Sequence, residues 1–189
     1  PPASGRVAVI GAGGIGFDVA DWLSHAGDPE EFTAAWGIDR RMEQRGGLAG
    51  QKPDRTPPVE VHVFQRSTEK PGKHLGKTTG WIHRLTLRQR GVTFHTGVTY
   101  GQADDRGFTY VDAEGEECRF DCDRIVLCSG QIPNRSAAST FPSSSFNVHT
   151  IGGTKEARGI DAQRAIREGW ELARSWGQVA ANANNASRD

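Results

Sequence analysis

Arg6-Val7-Ala8-Val9-Ile10 runs straight into Gly11-Ala12-Gly13-Gly14-Ile15-Gly16, and then into Phe17-Asp18-Val19-Ala20-Asp21-Trp22-Leu23. An apolar strand, a glycine-rich turn and an amphipathic helix follow one another in that order. Each glycine has a mechanical task in holding a dinucleotide. Gly11 permits the tight turn, Gly13 lets the backbone approach a pyrophosphate, and Gly16 lets the helix pack close to the strand. The phosphates then face the free N–H groups at the positive end of a helix that opens at Gly14. Gly11, Gly13, Gly14 and Gly16 are therefore candidate cofactor-binding residues.

Working outward, the next apolar strand is Val59-Glu60-Val61-His62-Val63-Phe64, with its valines on one face by period two. An alternation this clean predicts one face only partly covered. The strand ends Phe64-Gln65-Arg66. In a site for NAD or FAD an acidic residue at this point accepts hydrogen bonds from the adenosine ribose. Here a guanidinium follows instead, and Arg can grip a 2′-phosphate with a charge-assisted pair. Arg66 thus points to NADP, with Lys70 and Lys73 adding positive charge nearby. Between the turn and this strand, residues 33–58 read as an insertion. Short helices are expected at 28–35 and 38–44, loops at 46–50 and 53–58, and Trp36 as the anchor of the excursion. The first helix is expected to close near Gly27.

Beyond Arg66, Thr78 or Thr79 caps a predicted helix through Trp81, Ile82, Leu85 and Leu87 to a stop at Gly91. Short strands follow at 92–96, 98–102, 107–111 and 117–120, with Asp104-Asp105-Arg106-Gly107 and Ala113-Glu114-Gly115-Glu116 as hairpin turns. Arg124-Ile125-Val126-Leu127-Cys128 is a buried strand ending at Ser129-Gly130, and 146–151 reads as a last strand closing at Gly152-Gly153. A final helix starts near Asp161 and runs to about 179, and an Ala/Asn-rich stretch, 178–189, reads as a disordered tail. The fold class is α/β: a Rossmann-like parallel sheet with a β-meander crossover.

Composition narrows the function. The 189 residues are 35% hydrophobic and 24% charged with zero formal net charge, which suits a cored domain and argues for neither nucleic acid nor an anionic membrane as partner. No apolar run approaches the roughly 20 residues a bilayer demands, and a cytoplasmic protein is expected. Cys118, Cys122 and Cys128 have no C-x-x-C spacing, which excludes a disulfide oxidoreductase and argues for buried or edge thiols. The six histidines show no metal-ligand spacing, and the serines at 143–145 lack a nucleophile elbow. Neither a metal site nor a catalytic side chain is nominated. The start at Pro1, without methionine, suggests a piece of a longer polypeptide.

The strand and turn at 7–20, the pair Gln65-Arg66, Lys70-Pro71-Gly72, the string Leu75-Gly76-Lys77-Thr78-Thr79-Gly80-Trp81-Ile82-His83-Arg84, and Gly130-Gln131 with Pro133-Asn134-Arg135 resemble the C-terminal part of bacterial NADPH-dependent 2,4-dienoyl-CoA reductases. The resemblance extends from about Arg6 to Trp176. It implies the two-dinucleotide-binding flavoprotein type, in a family of flavin oxidoreductases with an Old Yellow Enzyme-like barrel. Such enzymes pass electrons from NADPH to FAD, through an iron–sulfur cluster to FMN, and on to the unsaturated thioester. On this resemblance 6–135 is the NADPH domain, with Gly130 at its cofactor edge. Residues 146–177 are the returning piece of the FAD domain, with Gly152 and Gly153 near the FAD pyrophosphate and Asp161 near the flavin. Gly159 stands where the family pattern has Glu. The barrel, its FMN and cluster, and the first half of the FAD domain have no counterpart here, so weak FAD retention and no turnover of the enoyl substrate by this chain alone are expected. Two alternatives stay open: the nucleotide domain of a related amine dehydrogenase or demethylase, and a stand-alone NADP-sensing module.

Overall fold

The computed structural model describes residues 4–25, 32–34, 36–49, 59–141 and 148–186. Four parallel strands form its main sheet in the order β3-β2-β1-β7: β1 (Gly5–Ile10), β2 (Val59–Gln65), β3 (Thr93–Thr96) and β7 (Arg124–Leu127). Val9 sits in register with Val63 of β2 and with Val126 of β7, so β1 is central. Its Val7, Ala8 and Val9 are wholly buried. That is the signature of a strand covered on both faces.

Helices cover one face. α1 (Gly14–Ser24) and α2 (Gly80–Gln89) set Phe17, Ala20, Leu23 and Leu87 against Val7, Val9, Val59, Val61 and Val63. The other face is covered by the antiparallel sheet β4 (Thr99–Asp104), β5 (Gly107–Val111) and β6 (Glu117–Asp121), whose Phe108 and Phe120 pack with Ala8, Ile10 and Phe64. This β-meander leaves one end of β2 uncovered, as the alternation predicts: Glu60 is exposed and His62 only partly buried. Both hairpin turns fall where the sequence places them.

The chain divides into two compact units, Pro1–Ser129 and Gly130–Asp189. The first holds everything from β1 to β7; the expected nucleotide domain, 6–135, runs slightly further. The second contains α3 (Ser136–Ser139), α4 (Gly152–Lys155) and α5 (Ala162–Ala186). Asp161 starts α5 by accepting the Arg164 backbone N–H at 2.7 Å, an N-cap bond. The helix continues past the expected end at Val179, and the segment read as a disordered tail is helical as far as Ala186. Its alanines, among the strongest helix formers, account for the extension.

Three expectations are corrected. The strand at 146–151 is absent: 148–151 are irregular, while Phe146 and Asn147 lie outside the described residues. The described part of that unit offers no strand to complete a hydrogen-bond ladder. The helix at 38–44 is replaced by a turn in which the Asp39 carboxylate accepts the N–H groups of Arg41 at 3.0 Å and Gln44 at 2.7 Å. An Asp that bonds its own following backbone competes with helix formation. The turn closes with an Ile38–Leu48 bridge and a 3₁₀ turn over Arg45–Gly47. Thr79 does occupy the N-cap of α2, but its hydroxyl makes no capping bond. The stop at Gly91 is as read: φ is +75°, and the Val92 N–H returns to the Leu87 carbonyl at 2.9 Å. Trp36 packs on Phe32, with ring centroids 6.1 Å apart. Gly27, most of 28–35 and 53–58 fall outside the described residues. Among the described residues no helix is long and apolar enough to cross a membrane.

Candidate functional site

The turn between β1 and α1 shows why its glycines are where they are. Gly11 has φ +116°, and a Cβ there would lie 2.4 Å from the Cys128 carbonyl oxygen. A Cβ on Gly16 would lie 1.8 Å from the Gly11 carbonyl oxygen, so only glycine lets the helix come this close to the strand. Around Gly13 and Gly14, by contrast, an added Cβ meets nothing within 4 Å. Two glycines serve packing, and two open the backbone to space. The Gly11 N–H is anchored to the Phe64 carbonyl at 2.8 Å, which joins the turn to the end of β2.

α1 begins at this turn with no side-chain cap and no acid in its first turn. Its leading N–H groups have no partner within the helix, and its dipole presents positive charge. Gly13 and Gly14 line a cleft of about 250 Å³. Its other wall is the end of β2, with Gln65, and the loop after it, which contributes Ser67, Glu69, Lys70, Lys73 and His74. That loop is locked onto the turn: the Gly72 N–H donates to the Ala12 carbonyl at 3.1 Å, and Arg84 Nη1 of α2 donates to the Gly72 carbonyl at 3.2 Å. Gln65 braces it further, donating through Nε2 to the carbonyls of Ser67 and Glu69. An open glycine backbone, an uncapped helix N-terminus and a cationic wall fit a pyrophosphate.

Arg66 lies elsewhere. It lines a neighbouring cleft of about 380 Å³ with Ile10, Tyr100, Phe108, Leu127 and Ser129, on the β-meander side. Burial pushes the Tyr100 phenol up, opposed by the Arg66 charge, and the Tyr100 hydroxyl donates to the Phe64 carbonyl at 3.1 Å. The structure therefore gathers Gly13, Gly14 and Lys70 around one cleft, leaves Gly11 and Gly16 to packing behind it, and puts Arg66 on the next cleft. Gln65, Ser67, Glu69 and His74 were not singled out from sequence. Strand parity held the clue for Gln65, which shares the helix-side face with Val61 and Val63; the others carry no local signal.

Gly130, Gly152, Gly153 and Asp161 belong to the second unit. Gly152, at φ +58°, donates its N–H to Glu168 Oε2 of α5 at 2.6 Å, while Gly153 faces open space. Arg164 binds the intervening loop through the carbonyls of Glu156 and Arg158. Gly152 thus packs against the first turns of α5, whose N-cap is Asp161. All three cysteines are free and half-buried, and burial pushes the thiols of Cys122 and Cys128 up, away from the reactive thiolate. No cluster of three or more His, Cys, Asp or Glu side chains is placed to hold a metal among the described residues.

The sequence pattern of the pyridine nucleotide-disulphide oxidoreductases matches residues 1–155. The chain belongs to that family. Members of this family bind FAD and a pyridine nucleotide. The match overturns, at the level of family, the exclusion of a disulfide oxidoreductase: it holds over residues 1–155 although these 189 residues carry no C-x-x-C pair. Two solved structures show the same architecture. 2-Naphthoyl-CoA reductase in complex with 2-naphthoyl-CoA is 17% identical with a TM-score of 0.64, over 91% of this chain and 21% of its own. A bacillithiol disulfide reductase from Staphylococcus aureus is 13% identical with a TM-score of 0.57, over 92% of this chain and 50% of its own. At such identities the likeness is one of fold. The chain spans about a fifth of the first of these oxidoreductases and half of the second.

Proposed function

We propose that this chain is the NADPH-holding part of a flavin-dependent reductase of 2,4-dienoyl-CoA thioesters, and that it sets the nicotinamide against FAD. When bound, the nucleotide supplies the hydride and FAD receives it. The chain's own task is to bind and orient. The open backbone at Gly13 and the N–H groups of α1 take the pyrophosphate; Lys70 and Arg66 supply positive charge for a 2′-phosphate. Gly130 lies at the cofactor edge of the NADPH part, and Gly152, Gly153 and Asp161 serve the flavin side. FMN and an iron–sulfur cluster belong, on this reading, to other parts of the same polypeptide.

The observation that carries the proposal is the cleft at Gly13, with cations on its far wall and no acid in the first turn of α1. The string from Gly76 to Arg84 adds support for the substrate class. It forms the turn into α2, and its Arg84 holds the Gly72 loop in place. The fold likeness to an enzyme named for reducing an acyl-CoA accords with the same class. The test is calorimetric titration of NADPH and NADH into the chain, together with an assay of the full polypeptide on a dienoyl-CoA. Tight, NADPH-selective binding and dienoyl turnover by the full polypeptide are expected. Absence of nucleotide binding, or full-length protein inert toward the thioester, would overturn the proposal.

A further inference from the structure

The loop after β2 brings an acid into the same cleft as the glycine turn. Lys73 Nζ donates to Glu69 Oε1, and both side chains are about half exposed. Both line the cleft with Gly13, as does Lys70, which has no ion-pair partner among the described residues. Glu69 is not a wandering surface group. Its backbone N–H donates to Ser67 Oγ at 3.0 Å, and its carbonyl accepts from Gln65 Nε2. The Lys73 ammonium, and to a lesser degree the charge of His74, holds the Glu69 carboxyl below its usual range, so it is ionised at neutral pH. One of the two lysines is therefore neutralised in place, and the other is free.

We propose that Glu69 sets the site's choice between phosphorylated and unphosphorylated dinucleotides, by holding Lys73 in an ion pair that a 2′-phosphate must break. The inference rests on the assignment of this cleft to NADPH. A phosphate monoester brings close to two negative charges at neutral pH. Lys70 meets it directly. Lys73 meets it only on leaving Glu69, whose freed carboxylate then faces the incoming anion. An unphosphorylated ribose leaves the pair intact. The clasp thus limits selectivity for NADPH. Glu69 acts through Lys73, as a positioning residue rather than a contact.

The probes are NADP⁺ and NAD⁺, titrated calorimetrically into the 189-residue chain and its variants, with circular dichroism confirming the fold of each. Glu69→Gln is expected to tighten NADP⁺ about fivefold, the scale of one exposed ion pair, and NAD⁺ by less. Lys73→Gln weakens NADP⁺ more than NAD⁺. The double variant Glu69→Gln/Lys73→Gln binds NADP⁺ only slightly better than Lys73→Gln, because without Lys73 only the direct repulsion by the Glu69 carboxylate is left to relieve. An unchanged NADP⁺/NAD⁺ ratio in Glu69→Gln, or a gain that persists in full in the double variant, overturns the clasp while leaving the cleft's assignment standing. Wild-type chain that binds neither nucleotide overturns that assignment and the clasp with it.

Discussion

Gly72 donates its backbone N–H to the Ala12 carbonyl at 3.1 Å, and so fastens the loop that carries Lys70 and Lys73 to the middle of the glycine-rich turn. The geometry at Gly72 leaves no room for another residue: φ is +66°, and a Cβ would lie 2.6 Å from Leu75 Cδ1 and 2.8 Å from Phe17 Cζ. The cleft exists because these two segments stay together.

Gly72→Ala should destabilise the fold by about 2–3 kcal/mol, from backbone strain plus overpacking against Phe17. A fall in Tm of roughly 5–10 °C by thermal melt is expected for a chain of this size. Nucleotide affinity should fall as well at temperatures where the variant is still folded, because the lysines lose their anchorage. A wild-type melt and wild-type binding would show that the Gly72–Ala12 bond positions nothing.

The glycine turn makes a paired prediction. Gly13→Ala should leave the melt unchanged, since its Cβ enters open space and φ is −81°. The same change should weaken dinucleotide binding by about tenfold or more, the cost of a methyl where a pyrophosphate packs. Gly16→Ala, whose Cβ meets the Gly11 carbonyl at 1.8 Å, should instead damage the fold itself. Melting curves and titrations of the two variants side by side separate the roles; identical behaviour would contradict the division.

On the proposed function, Arg66 reads the 2′-phosphate. A charge-assisted contact of about 1.5–3 kcal/mol gives roughly a 10- to 150-fold preference for NADPH over NADH. Arg66→Glu should abolish or reverse that preference in calorimetric titrations of both nucleotides. Because Arg66 lines the cleft on the β-meander side, a ratio that stays the same in this variant and collapses in Lys70→Ala would assign the phosphate to the glycine-turn cleft instead.

A pH dependence follows from His95. Its ring stacks on Phe64 at 4.3 Å, and its Nε2 lies 2.9 Å from His62 Nδ1; His62 Nε2 in turn lies 2.8 Å from Glu60 Oε1. Burial first, and the neighbouring His62 second, lower the His95 pKa below its ordinary 6.5. The folded state therefore disfavours the imidazolium. The resulting stability is complete above the unfolded value and is lost as pH falls through the folded one. Tm should drop between about pH 7 and pH 5, and His95→Phe, which keeps the ring stack, should flatten that drop. An equally steep profile in the variant would place the titrating group elsewhere.

The legible parts of this protein are those whose cause lies in neighbouring residues. The strand and glycine turn at 6–16 announce themselves because Gly11 and Gly16 answer to clashes a few residues away along the chain or across the adjoining strand, while Gly13 and Gly14 leave the backbone open between them. Both hairpin turns, the glycine stop at Gly91 and the half-covered face of β2 are legible for the same local reason. The alternation of β2 even held the position of Gln65, since period two alone puts it on the face of Val61 and Val63. What tertiary structure decided is which loop faces the glycine turn. Lys70, Lys73, Glu69 and His74 share a cleft with Gly13 only because Gly72 reaches back to Ala12, and Arg66 is turned to the other cleft by the same parity that keeps Gln65 in the first. The segment 148–151 has the β-prone residues of a strand and forms none, because a ladder needs a partner that no stretch of its own sequence can supply.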